Sequence, residues 1–224
     1  VDTLVQEQLQ SLRARIEADL VPPAVVVVTS AAPADGKSLM AFGLARSMTQ
    51  AGYKAVVVDT NHANPEVQGG PTIADLRGGE PFDVCAFARR SDRFGEVDVI
   101  PLTDRLLQTS TSKEAVEGIA AQLRRAYDVT IVDTTRLLRS HMGLLFAACA
   151  DGMLLSIRHG RPMSADDGFT VRLLERFQQR AVWVVTATSA AIGGFARDRA
   201  PVAARETVVA AARPDPVRTY VPAD

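Results

Sequence analysis

Val25-Val26-Val27-Val28-Thr29-Ser30-Ala31-Ala32-Pro33-Ala34-Asp35-Gly36-Lys37-Ser38-Leu39 is the stretch on which the reading of this chain turns. Four consecutive valines suit a strand covered on both faces, because β-branched side chains fit a buried pleat. Ala31 to Ser38 matches G-x-x-x-x-G-K-[ST] at every defined position except the first, where Ala31 replaces Gly. In such a loop the backbone N–H groups turn inward toward phosphate oxygens. The Lys37 ammonium reaches the β- and γ-phosphates, and the Ser38 hydroxyl ligates Mg²⁺. Gly36 allows close backbone approach, and a helix starting near Ser38 presents its positive dipole end. A strand before the motif and a helix after it distinguish a phosphate-binding loop from a chance Gly-Lys-Ser. Ala34, Asp35, Gly36, Lys37, Ser38 and Leu39 are therefore the expected phosphate-binding residues.

Beyond this stretch, apolar runs alternate with helical periodicity. Strands are expected over 54–58, 96–101, 129–132, 152–158 and 181–186, and helices over 38–50, 72–77, 81–90, 112–126, 144–150, 165–180 and 202–212. This alternation implies an α/β fold of three layers, αβα, with a mainly parallel sheet flanked by helices. Two of the strands end in an acid, Val-Val-Val-Asp59 and Thr-Ile-Val-Asp133. The carboxyl ends of parallel strands are where ligands bind, so Asp59 and Asp133 are read as carboxylates that order Mg²⁺ and water, the alternative being turn or helix caps. Lys occurs only at positions 37, 54 and 113 in a chain whose other basic residues are Arg. A Lys kept in the loop of so Lys-poor a chain points to a need for a compact ammonium.

The chain has 224 residues, 47% of them hydrophobic, enough for one sizeable core, and one domain over 1–224 is expected. A net charge of −1 supplies no global field for nucleic acid. No apolar run approaches the roughly 18 residues a membrane span needs. Cys85 and Cys149 sit in apolar surroundings and are expected to be buried thiols, which with a phosphate loop favours the cytoplasm. His62, His141 and His159 lack metal-ligand spacing. Residues 3–20 form an amphipathic helix on Leu4, Leu9, Leu12, Ile16 and Leu20, and a tail begins near 214. The other face of that helix carries Glu7, Gln10, Arg13 and Arg15, and reads as a solvated face or a subunit contact.

Three segments together, TSAAPADGKSLMAFGLARSMTQAGYKAVVVDTNHANP, YDVTIVDTT and DGMLLSIRHGR, resemble the bacterial tyrosine kinase family. These are the cytoplasmic ATPase parts of polysaccharide co-polymerases and their free-standing relatives. The resemblance spans residues 7 to 186. It implies a P-loop NTPase of the deviant Walker class, shared with the septum-site and partition ATPases. Those carry a second Lys early in the loop, where this chain has Ala32, which favours the kinase branch.

The resemblance implies ATP and Mg²⁺ as cofactors. Gly36, Lys37 and Ser38 would serve phosphates and metal, Asp59 metal and hydroxyl activation, and Asp133 water or metal. Glu7 and Arg13 match the family's Glu-x-x-Arg-x-x-Arg subunit-contact motif, with Gln10 departing. The implied partners are further copies of the chain in a ring and an inner-membrane polysaccharide co-polymerase or its transmembrane activator. The implied location is the inner face of the cell membrane. Tyr220 is the tail's candidate phosphoacceptor.

Several positions depart from the family pattern. Asn61 replaces a second acid, and Ala63 and Asn64 stand where a basic residue precedes Pro65. Thr135-Arg136 replaces Pro-Pro, and no adenine-reading Asn follows the last strand. Asn61 can accept a hydrogen bond but carries no charge for a metal or a proton. Two readings follow: an ATP-dependent autokinase of exopolysaccharide or capsule assembly, and a degenerate scaffold in the same machinery with weak or no nucleotide binding. A spatial-organisation ATPase is disfavoured by Ala32 and by the lack of an amphipathic membrane-targeting end.

Overall fold

The structure, a computed structural model, describes residues 3–60, 83–91, 94–102, 113–176 and 181–187. Asn61, His62, Tyr220, the expected helices over 72–77 and 202–212, and the tail lie outside them.

The phosphate-loop strand is β1 (Ala24–Thr29), and the helix after the loop is α2 (Lys37–Gln50). Also described are α1 (Thr3–Asp19), β2 (Ala55–Asp59), β3 (Arg89–Arg90), β4 (Asp98–Pro101) and α3 (Lys113–Ala126). They are followed by β5 (Val129–Asp133), α4 (His141–Cys149), β6 (Gly152–Arg158), α5 (Ala165–Glu175) and β7 (Ala181–Ala187). The described strands form one sheet in the order β3-β4-β2-β5-β1-β6-β7, parallel throughout except for β3.

The valine run explains how this sheet is sandwiched. Side chains alternate across a strand, so Val26 and Val28 enter the core under α1 and α2, while Val25 and Val27 enter the core under α3, α4 and α5. All four are fully buried. On the first face α1 lays Leu9, Leu12 and Ile16 against α2, and Phe42 of α2 stacks on Phe94 at 4.7 Å. Gly43 of α2 makes room for this approach, since a Cβ there would lie 2.7 Å from Leu9 Cδ1.

A second small residue matters inside the sheet. At Gly152, the first residue of β6, a Cβ would fall 2.4 Å from the Trp183 ring and 3.2 Å from Leu20. Neither the fully buried indole nor the strand has space to yield. Gly152→Ala should therefore cost about 2 kcal/mol of stability by overpacking, read as a lower midpoint in urea at unchanged slope.

Three expectations need correction. Residues 81–90 do not make one helix in their described part. Asp83 caps a short 3₁₀ turn, Val84–Phe87, by accepting from the Cys85 N–H at 2.9 Å, and Arg89–Arg90 pairs antiparallel with β4. The helix expected from 144 starts at His141, because the Ser140 hydroxyl accepts from the Gly143 N–H at 2.8 Å and so sets an earlier N-terminus. Cys85 and Cys149 are half-buried rather than buried. The Cys149 thiol donates to the Leu145 and Phe146 carbonyls of its own helix.

Candidate functional site

Register brings the two strand-end acids together. Asp59 of β2 lies beside Asp133 of β5, and Asp133 in turn lies beside Val28 of β1, three residues before Ala31 opens the loop. The strand ends are cross-tied. The Thr60 N–H and hydroxyl both donate to the Asp133 carbonyl, at 3.0 and 2.8 Å, and the Thr134 hydroxyl donates to the Val28 carbonyl at 2.9 Å. The Leu102 N–H donates to the Asp59 carbonyl at 2.8 Å. Both acids are almost wholly buried, at 2% and 1% exposure.

The loop between β1 and α2 is held in an unusual backbone shape. Ala34 has φ 58° and Gly36 φ 82°, both left-handed, and Gly36 forms the N-cap from which Lys37 starts the helix. Gly36 takes that conformation without steric cost, whereas Ala34 needs its surroundings to hold it. The Ser30 hydroxyl donates to the Ala32 carbonyl at 2.7 Å, closing the first turn of the loop.

Lys37 and Ser38, at the start of α2, lie close enough to Asp133 to act on its charge. Burial pushes the Asp133 carboxyl up to about 7; the Ser38 hydrogen bond opposes this, the Asp59 charge adds to it, and the Lys37 charge opposes it. Burial likewise pushes Lys37 down, against the pull of Asp133 and Asp35 and with the push of Arg136. Asp133 Oδ1 is buried with no hydrogen-bond partner.

An orphaned carboxylate oxygen beside a hydroxyl and a second acid fits a small hard cation. Mg²⁺ takes oxygen ligands, typically one or two carboxylates, and keeps several waters. Ser38, Asp133 and Asp59 would hold it. Among the described residues no group of three or more His, Cys, Asp and Glu side chains could hold a metal ion, so a cation here would rest on two carboxylates, the Ser38 hydroxyl and water or phosphate oxygens. Leu39, by contrast, is buried in the core under α2 and contributes no polar side-chain atom to a ligand.

The Asp35 side chain is turned into the protein. Its carboxylate is fully buried and accepts from the Ala32 N–H, the Arg158 N–H and two nitrogens of Arg161, all at 3.2 to 3.3 Å. Its own carbonyl accepts from the Ser156 hydroxyl of β6. Any role in phosphate binding therefore falls to its backbone N–H. Sequence reasoning missed Arg161 and Asp167. The signal was legible: Ser164-x-x-Asp167 is a capping box in front of α5, placed after the carboxyl end of β6.

Glu7 is exposed on α1. Arg13 on the same helix is engaged within its own chain, donating to the Ser47 carbonyl at 3.2 Å and pairing with Glu17 at 3.4 Å. No described helix is long and apolar enough to cross a membrane.

No family model matches the sequence. The tyrosine-protein kinase YwqD of Bacillus subtilis is 28% identical over 171 residues, covering 71% of this chain and 70% of that protein. The kinase domain of the Escherichia coli tyrosine kinase ETK superposes with a TM-score of 0.63 at 18% identity, covering 90% of this chain and 80% of that one. Cobyrinic acid a,c-diamide synthase of Mycobacterium smegmatis, solved with an ATP analog and magnesium bound, superposes at 0.57 with 15% identity, covering 82% and 83%. The fold is the αβα P-loop NTPase fold, and a neighbour sharing it holds nucleotide and magnesium.

Proposed function

We propose that this chain, which is similar in sequence to a bacterial tyrosine kinase, binds Mg·ATP in the loop 31–38 and acts as an autokinase in exopolysaccharide or capsule assembly. The observation that carries this reading is the convergence of Lys37, Ser38, Asp59 and Asp133, with Asp133 Oδ1 buried and unpartnered. Mg²⁺, when bound, neutralises charge on the phosphates. Lys37 places an ammonium where charge builds on the β- and γ-phosphates, and the loop N–H groups of Gly36 and its neighbours bind and orient them. Asp59 orients the attacking tyrosine hydroxyl and takes its proton. Phosphoryl transfer needs little else than positioning and electrostatics.

The acceptor on this reading is Tyr220, delivered to a neighbouring copy in a ring. Glu7, together with the helix that carries it, forms part of the contact between copies. The membrane partner is a polysaccharide co-polymerase or its transmembrane activator, which places the protein at the inner face of the cell membrane.

The test is thermal unfolding with and without Mg·ATP. A ligand at a hundred times its dissociation constant stabilises the folded state by about 2.7 kcal/mol, and Lys37→Met should lose that gain. Phosphotyrosine detection after incubation should then find signal in wild type and lose it in both Lys37→Met and Tyr220→Phe. No shift at millimolar nucleotide would instead support the scaffold, for which Asn61 in place of an acid is the motivating feature. Phosphotyrosine undiminished in Lys37→Met would reject the mechanism.

A further inference from the structure

Asp35 sits between the two left-handed residues of the loop, Ala34 and Gly36, and its side chain is gripped from the segment after β6, the strand beside β1. Arg161, which follows β6, donates Nε to Asp35 Oδ1 and Nη2 to Asp35 Oδ2, each at 3.2 Å. The same guanidinium donates Nη1 to Asp167 Oδ2 at 2.7 Å, Nη2 to Asp167 Oδ1 at 2.6 Å and Nη1 to the Pro162 carbonyl at 3.1 Å. Asp167, 1% exposed, is itself fixed at the first turn of α5 by the Ser164 N–H and hydroxyl, at 2.6 and 2.8 Å.

The donor count decides what Arg161 does. A guanidinium has five N–H groups, and these contacts use all five. None is left for a phosphate oxygen, so Arg161 does not serve as a direct ligand. Its positive charge instead offsets a fully buried carboxylate inside a loop that must receive a polyphosphate, where an unopposed Asp35 would repel the ligand. Its fork geometry also holds the residue between two φ > 0 positions, a shape that persists only where its surroundings over-determine it.

We propose that Arg161 is a positioning residue that holds the phosphate loop, through Asp35, in its nucleotide-receiving shape, with Asp167 as the anchor that makes α5 a lever on that loop. The inference rests on the nucleotide-binding reading above. Displacing the start of α5 loosens the loop; seating it tightens the loop.

Two measurements on the full chain test it, with Arg161→Gln, Arg161→Lys and Asp167→Asn. The first is amide hydrogen exchange of the nucleotide-free protein. In Arg161→Gln, peptides covering 31–39 should exchange about tenfold faster while those covering β1 and β5 keep wild-type rates, a local opening rather than global unfolding. Arg161→Lys should rescue little, because an ammonium restores charge but not the two-sided fork. The second is titration with a fluorescent ADP analogue and Mg²⁺, in which Arg161→Gln and Asp167→Asn should each bind about tenfold more weakly.

Loop exchange within twofold of wild type in Arg161→Gln, or exchange raised equally over the whole sheet, would overturn the assignment. So would unchanged affinity in both variants. Should wild type bind no Mg·ADP, the functional reading fails, and the exchange result alone judges whether Arg161 shapes the loop.

Discussion

Replacing Asp133 by Asn should stabilise the nucleotide-free protein at pH 8 by up to about 4 kcal/mol while abolishing its response to Mg·ATP. The first effect follows from linkage. Burial raises the Asp133 carboxyl from an ordinary 3.8 to about 7 in the folded protein. Between those values the folded state keeps a proton that the unfolded state releases, so stability falls as pH rises from about 4 to about 7 and stays low above. The gap corresponds to about 4 kcal/mol at about 1.4 kcal/mol per pH unit. Asn has the shape of Asp without the charge and should remove that slope.

The second effect follows from the site. Asn offers one carbonyl oxygen and no charge where Mg²⁺ would find a carboxylate, so stability and function should move in opposite directions, as they do where a strained group serves a ligand. Urea unfolding of both proteins from pH 4 to pH 8, with and without Mg·ATP, checks the pair of effects. A variant less stable than wild type at pH 8, or one with the same pH slope, would remove Asp133 as the buried acid that the site is built on.

Trp183→Ala should destabilise the fold by about 4 kcal/mol, the usual scale for emptying a large aromatic site in a core. The indole is fully buried in β7, fills the space above Gly152 of the neighbouring β6, and donates Nε1–H to Asp19 Oδ2 at 3.0 Å at the end of α1. Truncation therefore opens a cavity between sheet and helix and also releases α1 from its anchor on the sheet. Trp183→Phe should cost markedly less, since the ring volume largely remains and the loss centres on one hydrogen bond to a charged partner, about 1.5 to 3 kcal/mol. Denaturant midpoints separate these. Equal losses in Phe and Ala variants would show that the tie to Asp19, not the packing, carries the energy.

These expectations draw on two kinds of information. What the sequence determined by itself is local. A run of valines demands a strand covered on both faces, Gly-Lys-Ser after a turn demands a helix start, and an acid at the end of an apolar strand arrives at the ligand edge once the sheet is parallel. β1, α2, β5 and β6 accordingly fall within a residue of where their patterns put them, and the parallel register sets Asp59 beside Asp133. The identity of the residues matters there more than their neighbours in space.

What only the tertiary structure decided is the direction of side chains whose partners lie far along the chain. Asp35 reads as a loop residue, yet its carboxylate is claimed by Arg161, 126 residues later. Arg13 lies on a helix face whose pattern leaves solvent or a second subunit open, and only the packing of α1 on α2 shows that its guanidinium also reaches the Ser47 carbonyl of its own chain. Residues 83–90 carry no strong period, so a single Asp83 cap and pairing with β4 were enough to replace the expected helix. The physical reason is that a helix ladder closes between residues a few positions apart, whereas strand pairing and the partner of a buried polar side chain are fixed only once distant segments have been brought together in the sheet.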